Sequence, residues 1–325
     1  MSRHDSWRGL GRVFAAAAFG LGLASGSALA IDDLKIIAPA KPGGGWDQTA
    51  RSMQEVMQAA GIASSVTVEN VAGAGGTVGL AQLVDREKGN GNALMVNGLV
   101  MVGAILTNKS AVTLEQTTPI ARLTGEYEVI VVPASSEIQS LSQLLDAFKA
   151  DPGAVAWGGG SAGGTDHILA GLIAQAAGVE GSKVNYVPFS GGGEALAAIL
   201  GGHVTVGVSG YGEWAGQIQA GELRALAISS AERVPGIDIP TLKEQGVDVE
   251  LANWRAVVAP PEITDEQKKV LISAVDDMAK SEAWKKTLTD KNWLDLYMSG
   301  DEFATFLADE NKRVTETLTQ IGLVQ

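Results

Sequence analysis

The chain contains four glycine-rich stretches, each between an apolar run and a helix-like one: Pro42-Gly43-Gly44-Gly45, Gly73-Ala74-Gly75-Gly76, Gly158-Gly159-Gly160-Ser161-Ala162-Gly163-Gly164 and Ser190-Gly191-Gly192-Gly193. Glycine allows positive φ and lets a ligand approach the main chain closely. A helix that begins just after such a loop offers unpaired N–H groups and the positive end of its dipole to an anion. Two stretches lie in the first third of the chain and two in the middle. The pattern predicts two lobes that face each other across an anion-binding cleft.

Composition places the protein among globular chains and argues against several functions. Its 325 residues are 46% hydrophobic and 19% charged, which is enough for two domains of ordinary size. The formal net charge of −13 argues against nucleic acid or an anionic membrane surface as partner. The chain has no cysteine, which excludes disulfides, thiol chemistry and cysteine-ligated metals.

The sequence also gives no support for a metal or a cofactor. No group of histidine, aspartate and glutamate residues has the spacing of metal ligands. A dinucleotide fingerprint that starts at Gly73 would need glycine at the position of Val78. We therefore predict a site without metal or cofactor.

The first 30 residues have the pattern of a secretory signal peptide. Arg3, Arg8 and Arg12 precede the apolar run Val13–Leu23, and Ala28-Leu29-Ala30 has the small residues of a cleavage site. The alternative is an N-terminal membrane anchor, although the apolar run is too short to span a bilayer comfortably. No later segment is long and apolar enough to cross a membrane, so we expect an exported, soluble protein.

Strands and helices alternate after residue 30, which indicates an α/β fold with largely parallel sheets. The predicted strands are 34–39, 66–69, 93–96, 155–157, 183–187, 204–208 and 223–228, and the predicted helices are 47–60, 81–85, 141–149, 166–177, 194–200, 264–281 and 300–321. Two further apolar strands end in proline, Val129–Pro133 and Arg255–Pro260, and are predicted to cross between two lobes. Lobe 1 is then 31–128 plus 255–325, and lobe 2 is 129–254.

One motif favours an enzyme instead. Gly159-Gly160-Ser161-Ala162-Gly163 matches the G-x-S-x-G turn that carries the nucleophile of α/β-hydrolases. Such a site needs an acid and a histidine later in the chain, and only His167 and His203 are available after residue 30. His167 lies six residues from the serine, on the same predicted helix. An exported hydrolase that uses Ser161 stays open as the alternative function.

Six segments carry a resemblance to a known family: Pro42–Arg51, Glu69–Gly76, Gly160–His167, Gly191–Leu196, Leu200–Val204 and Leu223–Ala227. Taken together and in this order, they resemble the tripartite tricarboxylate transporter substrate-binding receptors, which are periplasmic binding proteins. The resemblance covers nearly all of the chain after residue 30. It implies a two-lobed periplasmic binding protein fold, type II-like, in which two α/β lobes joined by two crossover strands close like a hinge.

The resemblance also implies a function without covalent chemistry. A monomeric receptor in the periplasm would capture a small di- or tricarboxylate and deliver it to the large and small membrane subunits of a transporter. The run Trp46-Asp47-Gln48-Thr49 is most similar to the citrate-binding branch, so we expect a citrate-like ligand. A receptor that presents its ligand to a sensor kinase is an alternative that the sequence leaves open.

The candidate ligand-binding residues come from both arguments. The positions that match the family's motifs are Gly43, Gly44, Asp47, Gly75 and Gly76 in lobe 1, and Ser161, Gly163, Thr165 and Ser190 in lobe 2. Loop and strand-end positions add Trp46, Asn97, Gly191, Ser209 and Tyr211. Each of these also has an ordinary structural interpretation, as a turn residue, a helix cap or a core aromatic.

Overall fold

The computed structural model describes residues 31–324, so the predicted signal peptide lies outside the described residues. The strands are β1 Ile31–Ala38, β2 Ala63–Asn70, β3 Ala93–Gly98, β4 Thr118–Pro133, β5 Ala156–Gly159, β6 Asn185–Pro188, β7 Val206–Gly210, β8 Leu223–Ile228, β9 Ala252–Ala259 and β10 Leu294–Ser299. The helices are α1 Gly45–Ala59, α2 Thr77–Arg86, α3 Leu99–Thr107, α4 Leu141–Ala150, α5 Thr165–Ala176, α6 Gly192–Leu200, α7 Tyr211–Gln219, α8 Asp265–Lys280, α9 Glu282–Lys291 and α10 Gly300–Gln320. Among these helices, none combines the length and the apolar character needed to cross a bilayer.

The strands form one continuous sheet in the order β2-β1-β3-β9-β4-β7-β5-β6, with β8 and β10 also paired to β4. We call the part with β1–β3, β9, β10 and the start of β4 the first lobe, and the part with β5–β8 and the end of β4 the second lobe. β1 runs parallel to β2 and β3, and β5 runs parallel to β6 and β7. β9 and β4 pair antiparallel with all their neighbours. The α/β class is confirmed, but the sheet is mixed because the strands that cross between the lobes run against the others.

Two strands connect the lobes. β4 passes through both, since Thr118–Tyr127 pair with β9 and Glu128–Pro133 pair with β7 and β8. β9 pairs with β4 from Ala252 onward and so returns the chain to the first lobe. The predicted boundaries, after residue 128 and after residue 254, lie at these crossings, and how the lobes divide as rigid bodies stays a prediction.

Ser229 joins the two crossings to each other. The Ser229 hydroxyl accepts the Glu128 N–H at 2.9 Å and donates to the Leu251 carbonyl at 2.6 Å. A single buried side chain therefore holds the strand that leaves the first lobe beside the strand that returns to it.

Periodic apolar residues explain why these segments fold as they do. β3 is buried along its whole length, as expected for a strand covered on both faces. α1 buries Ala50, Met53 and Met57, which recur every three or four residues and so lie on one face of the helix. Tyr211 and Trp214 pack in a second-lobe core of their own. The two aromatic residues of α7 therefore contribute to this core.

Four elements were not predicted from the sequence. α3 and α7 follow β3 and β7 without a loop, and neither has a side-chain N-cap to mark its start. α9 and β10 lie in a polar part of the C-terminal region where apolar periodicity is weak. β4 is also much longer than the predicted strand Val129–Pro133, because polar residues such as Arg122 and Glu126 interrupt the apolar pattern of its first half.

Candidate functional site

A cleft of about 860 Å³ lies between the two lobes. Its first-lobe wall consists of residues 39–46 and 72–76 with Val100 and Asn108, and its second-lobe wall consists of residues 160–162, 164–166, 188–194, 209, 210 and 213. Asn253 and Arg255 of the crossing strand β9 also line the cleft. All four glycine-rich stretches therefore meet at one cavity, at the carboxyl ends of the strands, where α/β proteins bind ligands.

Helix N-termini surround this cleft. α1 begins at Gly45, α5 at Thr165 and α6 at Gly192, and each of these residues lines the cavity. The first amides of a helix have no partner within the helix, and the helix dipole adds positive potential there. The cleft therefore offers main-chain donors to an anion from both lobes.

Trp46 and Gly76 bring the two first-lobe loops into contact. Gly76 has φ +92°, and a Cβ at this position would lie 2.7 Å from the Trp46 ring and 2.7 Å from the end of Met101. Only glycine fits this backbone conformation and this space. The indole is almost fully buried, so it forms a rigid floor under the loop.

The predicted residues divide into two groups by position. Those that line the cleft are Gly43, Gly44, Trp46, Gly75, Gly76, Ser161, Thr165, Ser190, Gly191 and Ser209. Those placed behind it are Asp47, Asn97, Gly163 and Tyr211, which are all buried. A role for either group in contacting ligand stays a prediction.

Asp47 organises the first loop from behind. Its Oδ2 accepts the Gly43 N–H at 2.8 Å, and its Oδ1 accepts from the Asn70 amide at 2.8 Å and from Arg51 Nε at 3.0 Å. Burial alone would raise the pKa of Asp47, but these hydrogen bonds from Gly43, Asn70 and Arg51 outweigh it and lower the pKa. The carboxylate is therefore charged at neutral pH and holds the loop that begins α1.

Gly163 holds the lobes together. It has φ +74°, and its carbonyl oxygen would lie 1.9 Å from a Cβ at Gly103 of α3. Thr165 makes a further contact at the crossing, where its hydroxyl donates to the Asn253 side-chain carbonyl at 3.2 Å. These close approaches place the Ser161 loop of the second lobe against the first lobe.

The geometry around Ser161 does not form a hydrolase triad. His167 Nδ1 accepts the Gly163 N–H at 3.1 Å, and its ring stacks on Tyr186 at 4.0 Å. Burial lowers the pKa of His167 to about 4, so the ring is neutral and its proton is on Nε2. The nitrogen that would accept the proton of Ser161 is already occupied. Asp166, in turn, accepts the Gly160 N–H at 2.5 Å.

Sequence reasoning missed a group of charged residues in and behind the wall of the cleft. Arg255 of β9 and Glu126 of β4 form a buried ion pair. Glu128, Asp166 and Glu213 lie near this pair. After burial, the charges of Asp166, Glu126 and Glu213 raise the pKa of Glu128, and those of Glu126 and Asp166 raise the pKa of Glu213. The available signal was charge within apolar strands, since Glu126, Glu128 and Arg255 interrupt runs that are otherwise buried.

Burial governs the protonation of these acids. It raises the pKa of Glu128 well above the usual range, and the nearby Asp166 carboxylate raises it further. The Glu128 carboxyl has no N–H or O–H donor among the residues from 31 to 324, so no hydrogen bond there stabilises its charged form. Burial raises the pKa of Asp166 to about 6. Burial and then the Glu126 charge raise the pKa of Glu213 to about 7.

An ion pair joins the lobes at the mouth of the cleft. Lys41 of the first lobe lies 2.9 Å from the Glu194 carboxylate on α6 of the second lobe, and both side chains are largely exposed. The hydrogen bonds from Lys41 and from the Ser190 N–H lower the pKa of Glu194 to about 2. This pair is another connection that requires the two lobes to be near each other.

Two α/β lobes, two crossing strands and a cleft between glycine-rich loops define a two-lobed solute-binding protein. Residues 49–323 match the Tripartite tricarboxylate transporter family receptor, and the chain belongs to that family. The resemblance that the sequence carries is thereby confirmed, as is the two-lobed fold.

Three known proteins illustrate the relationship. Protein BugT of Bordetella pertussis is 28% identical over 296 residues, which is 89% of each chain. A TctC solute binding protein from Polaromonas, with no ligand, is 25% identical and superimposes with a TM-score of 0.67 over 89% of this chain and 98% of that one. MatC from Rhodopseudomonas palustris with bound malate is 23% identical, with a TM-score of 0.76 over 89% and 99% of the two chains. At the identity of MatC, the likeness shows a shared fold.

Proposed function

We propose that this protein is a periplasmic receptor that captures a small, citrate-like di- or tricarboxylate between its lobes and delivers it to the membrane subunits of a tripartite tricarboxylate transporter. The observation that carries the proposal is the cleft itself, where glycine-rich loops and helix N-termini from both lobes line one cavity. Family membership supports a role as a transporter receptor. The structure with malate supports a carboxylate as the class of ligand for this fold.

Main-chain amides suit a carboxylate in this cleft better than cationic side chains do. Lys41 and Arg255 line the cavity, but each already pairs with an acid, Glu194 and Glu126 respectively. Residues 43–46 and 75–76 line one wall of the cavity, and residues 161, 162, 164, 165 and 190–192 line the other. The first amides of α1, α5 and α6 lie among them. A ligand with a carboxylate at each end would accept from both walls, as expected for a di- or tricarboxylate.

Contact with both walls also explains how binding would signal to the membrane partners. A ligand stabilises the state for which it has higher affinity, and only the closed arrangement places both sets of donors around it. The membrane subunits then recognise the closed surface of both lobes. We expect a monomer without enzymatic activity, exported after removal of residues 1–30.

The proposal is tested by equilibrium binding. The exported protein is purified, stripped of carried-over ligand by unfolding and refolding, and titrated in a calorimeter with citrate, malate, succinate, tricarballylate and terephthalate. We expect saturable binding of at least one carboxylate with one site per chain. A ligand at about 100 times its dissociation constant adds roughly 2.7 kcal/mol of stability, so the melting temperature should rise with the same selectivity.

Matched variants locate the site. Thr165→Val removes the hydroxyl that donates to Asn253 at the edge of the cleft, and Thr289→Val makes the same change on the exposed surface of α9. We expect weaker binding only for the first. Binding of none of these carboxylates would contradict the proposal, and ester cleavage that disappears in Ser161→Ala would favour the hydrolase instead.

A further inference from the structure

The cleft has an unusual charge balance for an anion site. Five charged residues line it, namely Lys41, Asp166, Glu194, Glu213 and Arg255. Lys41 pairs with Glu194, and Arg255 pairs with Glu126 behind the wall. Within residues 31–324, Asp166 and Glu213 have no cationic partner in an ion pair.

These two acids differ in what surrounds them. Asp166 accepts the Gly160 N–H at 2.5 Å, so a main-chain donor stabilises its charge. Within the described part of the chain, Glu213 has one hydrogen bond, from the Ser209 hydroxyl to Oε2 at 3.2 Å. A hydroxyl can accept as well as donate, so Ser209 serves either protonation state of Glu213.

The Glu213 carboxyl group is held at the cleft surface by its neighbours. A Cβ at Gly192 would lie 1.8 Å from Glu213 Oε2, so the first residue of α6 leaves space that the carboxyl group fills. The charged groups that act on it are Glu126 of β4, Arg255 of β9 and Asp166 of α5. Asp290 and Lys291 of α9 share a small cavity with Glu213, so three acids and two cations surround it and the net charge near it is negative.

An anion that enters the cleft adds another negative charge beside this carboxyl group. Two carboxylates that share a desolvated site do not both stay ionised, and one of them retains a proton. We propose that Glu213 is a neutral carboxylic acid in the ligand-bound protein and donates its O–H to a ligand carboxylate, so that binding takes up a proton. This inference rests on the proposed function, because it requires a carboxylate ligand.

A second, smaller cavity gives this proton a route to the carboxyl group. It measures about 170 Å³, and it shares Gly45, Glu213 and Arg255 with the main cleft. Its other walls carry the polar side chains of Gln48, Asp290, Lys291 and Asn292. Several water molecules fit a polar cavity of this size, at about 30 Å³ each. Water in this second cavity would therefore contact Glu213 while ligand occupies the main cleft.

The direction of the pH dependence follows from the free protein. Burial and the Glu126 charge raise the pKa of Glu213 to about 7, and a bound anion raises it further. At a pH below the pKa of Glu213 in the free protein, its carboxyl group is already protonated and ligand binding takes up no proton. Above it, each ligand brings up to one proton, and the dissociation constant rises by as much as about tenfold per pH unit.

Calorimetry counts the protons directly. Citrate, malate, succinate and tricarballylate are titrated at about pH 7, 8 and 9, in pairs of buffers that differ in ionisation enthalpy. We expect an uptake that rises toward one proton per ligand in the wild-type protein and is lost in Glu213→Gln, whose affinity no longer depends on pH. The matched control Glu194→Gln changes an acid on the same wall that is paired with Lys41 and charged, so it should keep the proton uptake.

Each outcome decides between the two proposals. Carboxylate binding without proton uptake, or uptake that persists in Glu213→Gln, would overturn the inference and leave the proposed function intact. Binding of none of the four carboxylates at any pH would overturn the proposed function and the inference with it. If Glu213→Gln does not fold, infrared spectroscopy of the wild-type protein replaces it: the C=O stretch of a protonated carboxyl should appear on ligand binding above pH 7, and its absence would contradict the proton uptake.

Discussion

Arg255 and Glu126 form a buried ion pair between the two strands that join the lobes. Their side chains are 4% and 3% exposed, and the guanidinium lies over the Trp293 ring at 5.4 Å from its centroid. Because Arg255 also lines the cleft, this pair links the crossing strands to the surface that we propose binds ligand.

Glu126→Gln tests how much the crossing depends on this pair. The substitution removes the carboxylate that is paired with the buried guanidinium, so we expect a loss of about 3 kcal/mol or more in the free energy of unfolding. Chemical denaturation measures the change. Lys286→Met, which breaks the exposed pair with Asp290, is the control and should have little effect. A loss below about 1 kcal/mol for Glu126→Gln would contradict a structural role for the pair.

Gly45→Ala tests the space that Arg255 occupies. A Cβ at Gly45 would lie 2.4 Å from Arg255 Nη2, so the guanidinium must move or α1 must shift. We expect lower stability and at least tenfold weaker carboxylate binding in calorimetry. Gly216→Ala is the matched control in α7, where an added Cβ meets nothing within 4 Å. Gly216→Ala should leave the free energy of unfolding unchanged or increase it by up to about 1 kcal/mol. Equal effects of the two substitutions would show that this contact is unimportant.

The pH dependence of stability tests the protonation of Glu213 in the ligand-free protein. Its pKa is raised from 4.5 to about 7 in the folded state, so the folded protein binds more protons than the unfolded chain in this range. The stabilisation from Glu213 is complete below the unfolded pKa and is lost as pH rises through the folded one. The free energy of unfolding of the wild-type protein minus that of Glu213→Gln should therefore decrease as the pH rises from about 5 to about 8. The decrease should be at most about 1.4 kcal/mol per pH unit.

Subtracting the unfolding free energy of Glu213→Gln from that of the wild type removes the contributions of other titrating groups. Burial lowers the pKa of His167 to about 4, so this group destabilises the fold as pH falls below its ordinary value. It is present in both proteins and cancels. A difference that is flat or rises with pH would show that Glu213 is ionised in the folded protein.

The Lys41–Glu194 pair gives a prediction about lobe closure. If the pair holds the lobes together, Lys41→Met and Glu194→Gln should both increase the radius of gyration of the ligand-free protein in small-angle scattering. Both should also weaken carboxylate binding, by less than about fivefold, with a smaller effect at high salt. If Lys41 instead attracts the ligand directly, Glu194→Gln would leave the Lys41 charge unpaired and strengthen carboxylate binding. Opposite signs for the two substitutions would therefore contradict the closure role.

The part of the architecture set by local pattern was predictable from the sequence. Glycine-rich runs after apolar strands predicted four loops, and all four line one cleft because parallel strands present their carboxyl ends at the same edge. α3 was missed because an apolar helix directly after a buried strand continues the same hydropathy. The first half of β4 was missed because Arg122 and Glu126 break the apolar run there.

The charged residues in and behind the cleft wall could not be predicted from local sequence pattern. Pairing Glu126 with Arg255 depends on the register of β4 against β9, which joins residues more than a hundred positions apart. Tyr211 follows a glycine-containing strand end and is predicted to contact ligand; the structure buries it in the second-lobe core, and the contact stays a prediction. Side-chain direction at a strand end depends on helix α7, which the sequence pattern did not reveal.

The central claim is that a carboxylate is held between the lobes by main-chain donors of both. The most direct measurement is a crystal structure of the protein with the tightest-binding carboxylate of the titration series. We predict carboxylate oxygens within hydrogen-bond distance of amides in residues 43–46 or 75–76 on one side and in residues 161–165 or 190–192 on the other, with Glu213 near a ligand oxygen. Ligand bound to one lobe alone, outside the cleft, or covalently attached to Ser161 would contradict the account.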